Sequence, residues 1–429
     1  MSEFKPVRGM RDLLPEDAQV LRAIEEKARV VARLYGYKEI VTPVVESYDL
    51  LSAKAGEEVK SRMFLFKDLG GRAVALRPEF TASVARLVAS TLRNESKPLR
   101  LFCVGSVYRY DEPQRGRYRE FWQSNYELMG SDRPEADAEI LMLTNSLMQL
   151  TGLKKYVFKV GHIGVLKGLL GRENVDEKVQ NVVMQLMDKK QHGDAVALLE
   201  RSGASRECTS IIRKLVELKG ANIFRVVDEI KTLVDGCTQS VEAVRNLGEV
   251  LELVSKSGCT IDVTVDAGFA RGLEYYTGMI FEVYVPDLDI ALGGGGRYNR
   301  LIELFGGEPT PAVGVAHGMD RIMLALQLQG GFEKAGEQKT AVVVPTKDEL
   351  IGEAMKLAQV LREAGMTVEL EVMGRKMSKV LEAAGRRKAT FAVIIGEKEF
   401  REGAVVVKDL AKREQTVISV GKIKEYLKS

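Results

Sequence analysis

The densest group of chemically versatile side chains lies between Tyr108 and Gln123. Four arginines fall within eleven residues of this stretch, namely Arg109, Arg115, Arg117 and Arg119. A guanidinium group suits phosphate because its planar fork makes paired, charge-assisted hydrogen bonds. Phe121 could stack on a purine ring. An exposed cationic hairpin with one core aromatic accounts for the same residues, so the sequence leaves both interpretations open here.

Strand alternation predicts which of these side chains face the same way. Residues 99–110 and 119–129 are rich in β-branched and aromatic residues and flank a polar loop, which is typical of a long antiparallel hairpin. Successive side chains of a strand point to opposite faces. We therefore expect Arg109, Gln123 and Glu127 to project from one face into a shared pocket.

Three glycine-containing stretches also indicate close approach of a ligand. In residues 271–278 an arginine follows a predicted strand, beside glycines that admit a ligand to the backbone. Residues 292–298 contain four consecutive glycines, whose entropic cost in a sheet predicts a purpose. A phosphate loop is one option, although the spacing matches neither the Walker nor the GxGxxG pattern. Residues 314–321 pass from a glycine-rich strand into a helix start, which favours anions.

The elements that must position these residues follow from periodicity. Apolar residues at helical spacing predict a helix over residues 15–35. Residues 39–45 favour a strand, which Pro43 should confine to an edge or an interface because proline lacks a ladder donor. Residues 62–77 predict a hairpin, and a helix is expected to follow from Pro78.

The remainder of the chain divides by the same criteria. Residues 165–256 contain no proline and no obvious strand, so a helical insertion is predicted. Strands return over residues 260–305, and a helix is expected over residues 319–329. Alternating strands and helices after residue 340 predict an α/β domain with a largely parallel sheet. The predicted division is a first domain of residues 1–164 and 257–330, an insertion of residues 165–256, a linker of residues 331–339 and a terminal domain of residues 340–429.

Composition excludes several classes of protein. The 429 residues suffice for two or three domains, and 45% hydrophobic with 29% charged residues is ordinary for a globular chain. Net charge is only +3, although residues 340–429 hold 17 Lys/Arg against 13 Asp/Glu. That excess is compatible with phosphate contact and equally with a solvated surface.

Cysteine and histidine usage argues against a metal or disulfide framework. Four widely spaced cysteines form no CxxC pair, which suits a reducing cytoplasm. Three histidines are too few for a histidine-rich site, so no metal-binding side-chain cluster is expected. The first residues lack the apolar core of a signal peptide, and no run of about 18 apolar residues predicts a membrane span.

The order and joint presence of these stretches resemble the class II aminoacyl-tRNA synthetases, and within that class the histidyl-tRNA synthetases. The Pro43 region, the arginine hairpin and residues 318–321 resemble the three class motifs. Residues 271–276 and 294–298 resemble the two signatures of histidyl enzymes, and residues 77–81 the amino-acid-binding turn. The similarity is close over residues 5–330 and architectural over residues 340–429.

The resemblance implies an α+β fold. An antiparallel sheet flanked by helices would carry the helical insertion, and a C-terminal α/β anticodon-binding domain would follow. Phe80 and Trp122 differ from many bacterial members and make the chain similar to archaeal and eukaryotic ones.

The resemblance also implies roles for individual residues. The residues that would bind histidine are Glu79, Thr81, Arg109, Gln123, Glu127, Arg271, Tyr275 and Tyr276. Within this set, Glu79, Thr81 and Gln123 would hold the α-amino group, and Glu127 and Tyr276 the imidazole nitrogens. The residues that would bind ATP are Arg109, Arg117, Phe121 and Arg321. Arg109 and Arg271 would act in catalysis by holding the α-phosphate, Arg321 would take the γ-phosphate and Phe121 the adenine. Gln114 and Arg115 would approach the acceptor end of the tRNA.

The implied activity is ATP-dependent ligation of L-histidine to tRNA(His) through a histidyl-adenylate, by a cytoplasmic homodimer that uses Mg²⁺ with its ATP. A paralogue of these enzymes, which regulates histidine biosynthesis and binds histidine without charging tRNA, is the alternative. That paralogue typically lacks the C-terminal domain and the intact signatures, both of which are expected here.

A class I synthetase is a weaker alternative. The chain contains Lys376-Met377-Ser378-Lys379, and His162-Ile163-Gly164 matches a fragment of that class's other signature. The fragment is incomplete, and the tetrapeptide falls in the predicted terminal domain. Met377, Val380 and Leu381 are more simply explained as the core face of an amphipathic helix.

Overall fold

The computed structural model describes residues 4–53, 55–286, 288, 290–331 and 339–428. They form two compact units, the first containing the described residues up to Gly331 and the second those from Lys339. Most of the predicted linker over residues 331–339 lies outside the described residues. Within the described ranges, no helix is long and apolar enough to cross a membrane.

The first unit is built on a large sheet. The strands of this unit are β1 (Lys38–Glu39), β2 (Val45–Ser47), β3 (Leu65–Lys67), β4 (Ala73–Leu76), β5 (Leu99–Tyr108), β6 (Glu120–Met129), β7 (Val157–His162), β8 (Lys219–Gly220), β9 (Val263–Asp266), β10 (Met279–Tyr284), β11 (Ala291–Arg297) and β12 (Ala312–Gly318). Nine of them pair in the order β1-β5-β6-β12-β11-β10-β7-β9-β8. Pairing is antiparallel except for β1 with β5 and β7 with β9, so the predicted antiparallel-dominated sheet is confirmed.

Helices surround this sheet. They are α1 (Pro15–Leu34), α2 (Tyr48–Ser52), α3 (Glu57–Lys60), α4 (Thr81–Ala89), α5 (Pro134–Thr151), α6 (Ile163–Arg172), α7 (Glu177–Asp188), α8 (His192–Arg201), α9 (Arg206–Glu217), α10 (Ile223–Leu233), α11 (Thr238–Lys256), α12 (Leu301–Leu304) and α13 (Met319–Leu328). Pro15 opens α1, where its missing N–H leaves no helical bond unmade. The apolar faces of α1 and α5 are buried in one continuous core with the sheet.

Three local expectations are wrong. The strand predicted over residues 39–45 is interrupted, because the carbonyl oxygens of Thr42 and Pro43 accept hydrogen bonds from Arg77 at 2.8 and 3.4 Å instead of continuing a ladder. The helix expected from Pro78 begins three residues later, at Thr81. The region predicted to be wholly helical contributes β8, which extends the large sheet by pairing with β9.

The second unit has its own sheet and core. Its elements are β13 (Thr340–Pro345), α14 (Ile351–Glu363), β14 (Thr367–Leu370), α15 (Met377–Arg386), β15 (Phe391–Ile395), α16 (Glu397–Arg401), β16 (Ala404–Asp409), β17 (Glu414–Ser419) and α17 (Ile423–Lys428). The strand order is β14-β13-β15-β16-β17. The first three strands are parallel as expected, but β16 and β17 add an antiparallel hairpin that helical alternation does not predict. Of the three residues predicted to form the core face of α15, Val380 is buried and Met377 packs against the same apolar cluster, whereas Leu381 is only half-buried.

A buried ion pair ties the glycine-rich strand to α5. Arg297 donates from Nε to Asp137 at 3.0 Å, and its other nitrogens donate to the carbonyl oxygens of Ser131 and Arg133 at 2.8 and 3.2 Å. The Asp137 side chain is fully buried and that of Arg297 nearly so. Every strong donor of this guanidinium therefore has a partner inside the protein, and Arg297 acts in the framework.

We predict that Arg297→Leu lowers the free energy of unfolding of the first unit by about 3–5 kcal/mol, because it leaves the Asp137 carboxylate buried without its partner. Urea denaturation followed by the fluorescence of Trp122, the single tryptophan of the chain, measures this. The control is Arg93→Ala, which removes an exposed pair with Glu308 and should cost less than about 1 kcal/mol. Equal unfolding midpoints for the two variants would contradict the prediction.

Candidate active site

A cavity of about 690 Å³ opens on the face of the large sheet near β6, β10, β11 and β12. It collects segments that are far apart in sequence. Of the residues predicted from the sequence, those that line it are Glu79, Thr81, Arg109, Arg117, Phe121, Gln123, Glu127, Arg271, Tyr275, Tyr276 and Arg321. The expectation that Arg109, Gln123 and Glu127 share a pocket is therefore confirmed.

Two predicted residues lie elsewhere. Gln114 and Arg115 are exposed at the tip of the arginine hairpin and are not among the residues that line the cavity. Gln114 closes the tip by pairing with Arg117 through both backbone groups, at 3.1 and 2.9 Å. Whether this tip contacts a macromolecule stays a prediction.

One end of the cavity is acidic and rich in hydroxyl groups. Glu127 is buried on β6 and accepts hydrogen bonds from Thr81 Oγ1 at 2.7 Å and from the hydroxyl of Tyr298. Burial raises the pKa of Glu127 to about 7, against the effect of these two donors. Tyr298 was given no role from the sequence, although it belongs to a quoted signature. Tyr298 lies one residue beyond the end of β11, and this position directs its hydroxyl group toward Glu127.

A second carboxylate and an amide complete this end. Glu79 accepts a hydrogen bond from the Tyr275 hydroxyl at 3.0 Å, and burial raises its pKa while nearby Arg109 opposes that rise. The Oε1 atom of Gln123 is buried and has no hydrogen-bond partner in the described part of the chain. Two carboxylates and a free amide oxygen form a set of acceptors that suits a ligand with several N–H donors.

The other end of the cavity is cationic. Arg109 donates from Nε to the carbonyl oxygen of Pro78 at 2.9 Å. Arg321 donates from Nη1 to Ala291 O at 2.7 Å and from Nε to Gly116 O at 3.4 Å. Within the described ranges, neither arginine forms an ion pair with a carboxylate. Burial, together with repulsion from Arg109 and Arg117, lowers the pKa of Arg321 to about 10. Cations that repel one another in a cavity favour a multiply charged anion.

Arg271 lies between these ends, on the turn before β10. Its Nη1 donates to Phe281 O at 3.2 Å and lies 3.2 Å from Glu282 Oε1. The guanidinium carbon is 5.7 Å from the ring centroid of Tyr276. The guanidinium group of Arg271 is therefore held against β10 by Phe281 and Glu282, at the edge of the cavity that it lines.

The four consecutive glycines form strand β11, so the phosphate-loop option is wrong. A Cβ at Gly294 would lie 1.9 Å from Arg271 Nη1, and one at Gly295 would lie 2.0 Å from the carbonyl oxygen of Gly314 on β12. A Cβ at Gly314 itself would lie 1.7 Å from Glu127 Oε2. Gly294 and Gly314 thus leave room for the side chains of Arg271 and Glu127, and Gly295 leaves room for the backbone of β12.

The start of α13 is anchored by a residue that sequence reasoning passed over. Asp320 is almost fully buried, accepts a hydrogen bond from the backbone N–H of Trp122 at 2.7 Å, and forms an ion pair with Arg11. The Arg11 guanidinium also stacks on Tyr118 at 3.6 Å. These contacts join α13, which carries Arg321, to the arginine hairpin. Only the long-range fold reveals them, since Arg11 is more than 300 positions away from Asp320.

Of the chain's histidines, His192 is among the residues that line the cavity, whereas His317 is not. His317 is buried away from the cavity, where its Nε2 lies 3.1 Å from Thr144 Oγ1, and burial lowers its pKa to about 3. In the part of the chain that the structure describes, no cluster of three or more His, Cys, Asp or Glu side chains is arranged to hold a metal ion.

Comparison with known proteins identifies the family of this chain. A family model described as histidyl-tRNA synthetase matches residues 9–322, and one described as an anticodon binding domain matches residues 340–429. The chain belongs to the histidyl-tRNA synthetase family. The family predicted from the sequence is thus confirmed.

Full-length relatives agree with this membership in the histidyl-tRNA synthetase family. The histidine–tRNA ligase of Methanocaldococcus jannaschii is 42% identical over 99% of both chains. That of Metallosphaera sedula is 38% identical over 98% of this chain and 97% of its own. These relatives are archaeal, as Phe80 and Trp122 had indicated.

Solved structures of the family share the fold. Histidyl-tRNA synthetase from Nostoc sp. PCC 7120 superposes with a TM-score of 0.79 at 25% identity, covering 100% of this chain and 99% of that one. A Bacillus halodurans protein described as an ATP phosphoribosyltransferase regulatory subunit/histidyl-tRNA synthetase has a TM-score of 0.75 at 28% identity, covering 89% and 96%. The predicted class II architecture is confirmed by these neighbours.

We predict that inorganic tripolyphosphate binds the cationic end of the cavity and that Arg321→Met weakens it by on the order of 10- to 100-fold. A hydrogen bond to a charged group contributes about 1.5–3 kcal/mol, and about 1.4 kcal/mol is tenfold in affinity. Calorimetric titration at constant low salt measures the dissociation constants, with Arg93→Met as a control outside the cavity. Equal affinities for Arg321→Met and the unchanged protein would refute this assignment.

Proposed function

We propose that the protein ligates L-histidine to tRNA(His) with ATP, through a histidyl-adenylate intermediate. The observation that carries this proposal is the lining of a single cavity. Acceptor groups lie at one end, and at the other lie the Arg109 and Arg321 guanidinium groups, which form no ion pair with a carboxylate of the described residues. Histidine, which carries an α-ammonium group and an imidazole ring, matches the acceptors, and a triphosphate matches the guanidinium groups. Family membership supports the same reaction.

Histidine would be recognised at the acidic end. Glu79, Thr81 and Gln123 would hold the α-amino group, since carboxylate, hydroxyl and free amide oxygen all accept from an ammonium. Glu127 and Tyr276 would bond the two imidazole nitrogens. A site that pairs both nitrogens discriminates strongly, because an apolar side chain of similar shape would leave buried polar groups without partners. The hydroxyls of Tyr275 and Tyr298 would orient the two carboxylates.

ATP would lie along the cationic end, entering as its magnesium complex. Arg109 and Arg271 would hold the α-phosphate, Arg117 and Arg321 the β- and γ-phosphates, and Phe121 would stack on the adenine. The histidine carboxylate then attacks the α-phosphorus in line, and pyrophosphate leaves. Negative charge gathers on the equatorial oxygens, which fixed guanidinium groups stabilise without reorganising. In a second step a hydroxyl of the terminal ribose of the tRNA attacks the histidyl carbonyl of the adenylate, and AMP leaves.

The macromolecular partner would be met at two places. The exposed tip with Gln114 and Arg115 would approach the acceptor end, and the second unit, residues 340–429, would bind the anticodon. Its 17 basic against 13 acidic residues favour contact with a phosphate backbone. Residues 1–164 with 257–330 would form the catalytic domain, and residues 165–256 the helical insertion.

The proposed assembly is a homodimer that acts in the cytoplasm. Strands β2, β3 and β4 form a separate small sheet on which Val45, Leu65 and Phe66 are exposed. Clustered exposed apolar residues are typical of a protein interface. The four cysteines are all free, which suits a reducing compartment.

The regulatory paralogue is the competing function. The matched anticodon-binding domain and the intact residues 271–276 and 294–298 favour the ligase. The test is to incubate the protein with ATP, labelled histidine and total tRNA, and to measure pyrophosphate exchange with each of the twenty amino acids. A ligase gives acid-precipitable label and exchange with histidine alone. Histidine binding without label or exchange would favour the regulatory function.

We predict that Arg271→Ala slows histidine-dependent pyrophosphate exchange by on the order of 10²–10³-fold, the scale for losing one preorganised donor to the transition state. Arg271→Lys keeps the charge but not the planar fork of the guanidinium group. Its exchange rate should therefore fall between the rates of Arg271→Ala and the unchanged protein. Near-normal exchange by the alanine variant would show that Arg271 does not hold the reacting phosphate.

We predict that histidine binding strengthens as pH rises through about 7, because burial raises the pKa of Glu127 to about 7 and its ionised form is the stronger acceptor for an imidazole N–H. The carboxyl is protonated below this value and ionised above it. Calorimetry from about pH 5 to 8 should show a shallower dependence in Glu127→Gln, in which only the ligand's own imidazole titrates. Superimposable profiles would exclude this contact.

A further inference from the structure

The turn of residues 271–276 has no helix or strand of its own, yet it presents Arg271, Tyr275 and Tyr276 to the cavity. A segment without a backbone ladder depends on neighbouring elements for its position. The sheet holds the far end of this turn, where the Thr277 N–H donates to Arg297 O at 2.8 Å. The other side of the turn faces the helices that follow β7.

Helices α6 and α7 contact this turn at three successive points. The Asp188 carboxylate accepts a hydrogen bond from the Gly272 N–H at 2.8 Å, and Asn181 donates to Glu274 Oε2 at 3.3 Å. The ammonium group of Lys167 donates to the carbonyl oxygen of Tyr276 at 3.1 Å. The helical insertion thus fixes the backbone between the residues that enter the cavity, and is more than a passive packing domain.

The contact at Gly272 lies directly next to Arg271 in the chain. Asp188 ends α7 and itself lines the cavity, close enough to Arg271 for their charges to interact. The turn has little room there: a Cβ at Gly272 would lie 3.0 Å from Asp188 Oδ2, and one at Gly56 would lie 2.7 Å from Gly272 O. A shift of α7 would therefore move the backbone from which the Arg271 side chain extends.

We propose that Asp188 is a positioning residue for the adenylation step, whose carboxylate holds the Gly272 N–H so that Arg271 meets the α-phosphate. This inference rests on the proposed function. It means that a site built mainly on the large sheet also depends on a residue of the helical insertion. Asp188 acts through the backbone of the turn and need not touch the substrate. Misplacement of a reacting group by about 1 Å is enough to cost on the order of 10²-fold in rate.

The test compares Asp188→Ala, which loses the acceptor, with Asp188→Asn, which keeps an acceptor oxygen but loses the charge. The control is Asp228→Ala, which removes an exposed carboxylate on α10 of the same insertion. In histidine-dependent pyrophosphate exchange we expect Asp188→Ala to lower kcat by on the order of 10- to 100-fold. The KM for ATP and for histidine and the thermal unfolding midpoint should change little, and Asp188→Asn and the control should remain near the unchanged protein.

A double-mutant cycle with Arg271→Ala separates positioning from a general structural effect. If Asp188 acts through Arg271, adding Asp188→Ala to Arg271→Ala causes no further loss, because interacting residues are not additive. Additive losses, a normal kcat in Asp188→Ala, a loss that follows unfolding, or equal losses in the alanine and asparagine variants would each overturn the assignment. Absence of exchange in the unchanged protein would instead overturn the proposed function, and this inference with it.

Discussion

Backbone carbonyl oxygens hold two of the arginines at the cationic end of the cavity, and this arrangement determines what that end of the site can bind. Arg109 is held by Pro78 O and Arg321 by Ala291 O and Gly116 O. A carbonyl fixes a guanidinium group without neutralising it, whereas a carboxylate would do both. The charge that remains is costly in a partly buried place, which is why the pKa of Arg321 falls to about 10. A polyphosphate offsets that cost when it binds. The arrangement of charges in the cavity therefore favours anions by itself.

The same cavity requires empty space beside its sheet. Strand β11 lies between β10 and β12, and its glycines leave room for Arg271 on one side and for the neighbouring strand on the other. Gly314 on β12 does the same for Glu127. Any side chain at these positions would displace a residue of the site. The glycines of β11 and β12 are therefore required by the side chains that the cavity contains.

Much of this arrangement follows from sequence, because it rests on local patterns. The hairpin of β5 and β6, the helix α1 and the start of α13 are encoded by alternation, helical period and end residues. Eleven candidate residues that line the cavity came from motif order and resemblance. The continuous strand over residues 39–45 and the helix start at Pro78 were wrong because Arg77 and Arg109 donate to carbonyl oxygens of those segments from distant positions in the sequence. The edge position predicted from Pro43 agrees with β1 and β2, which both lie at sheet edges.

The residues that sequence reasoning missed have one feature in common. Each acts by contacting another side chain or a backbone group of the site, and no local sequence pattern predicts such a contact. These residues are Tyr298, Asp320 and Asp188. Tyr298 needs the register of β11 to reach Glu127, and Asp320 needs Arg11 from the opposite end of the unit. The hairpin β16–β17 was missed for a related reason, since antiparallel strands at the end of an α/β pattern break its alternation.

The central claim is that Arg109, Arg271 and Arg321 converge on one triphosphate beside a pocket for imidazole. A crystal structure with histidine and a non-hydrolysable ATP analogue tests it most directly. The account predicts the α-phosphate between Arg109 and Arg271, the γ-phosphate at Arg321, and the imidazole against Glu127. A triphosphate bound away from these three side chains, or a histidine whose imidazole points away from Glu127, would contradict it.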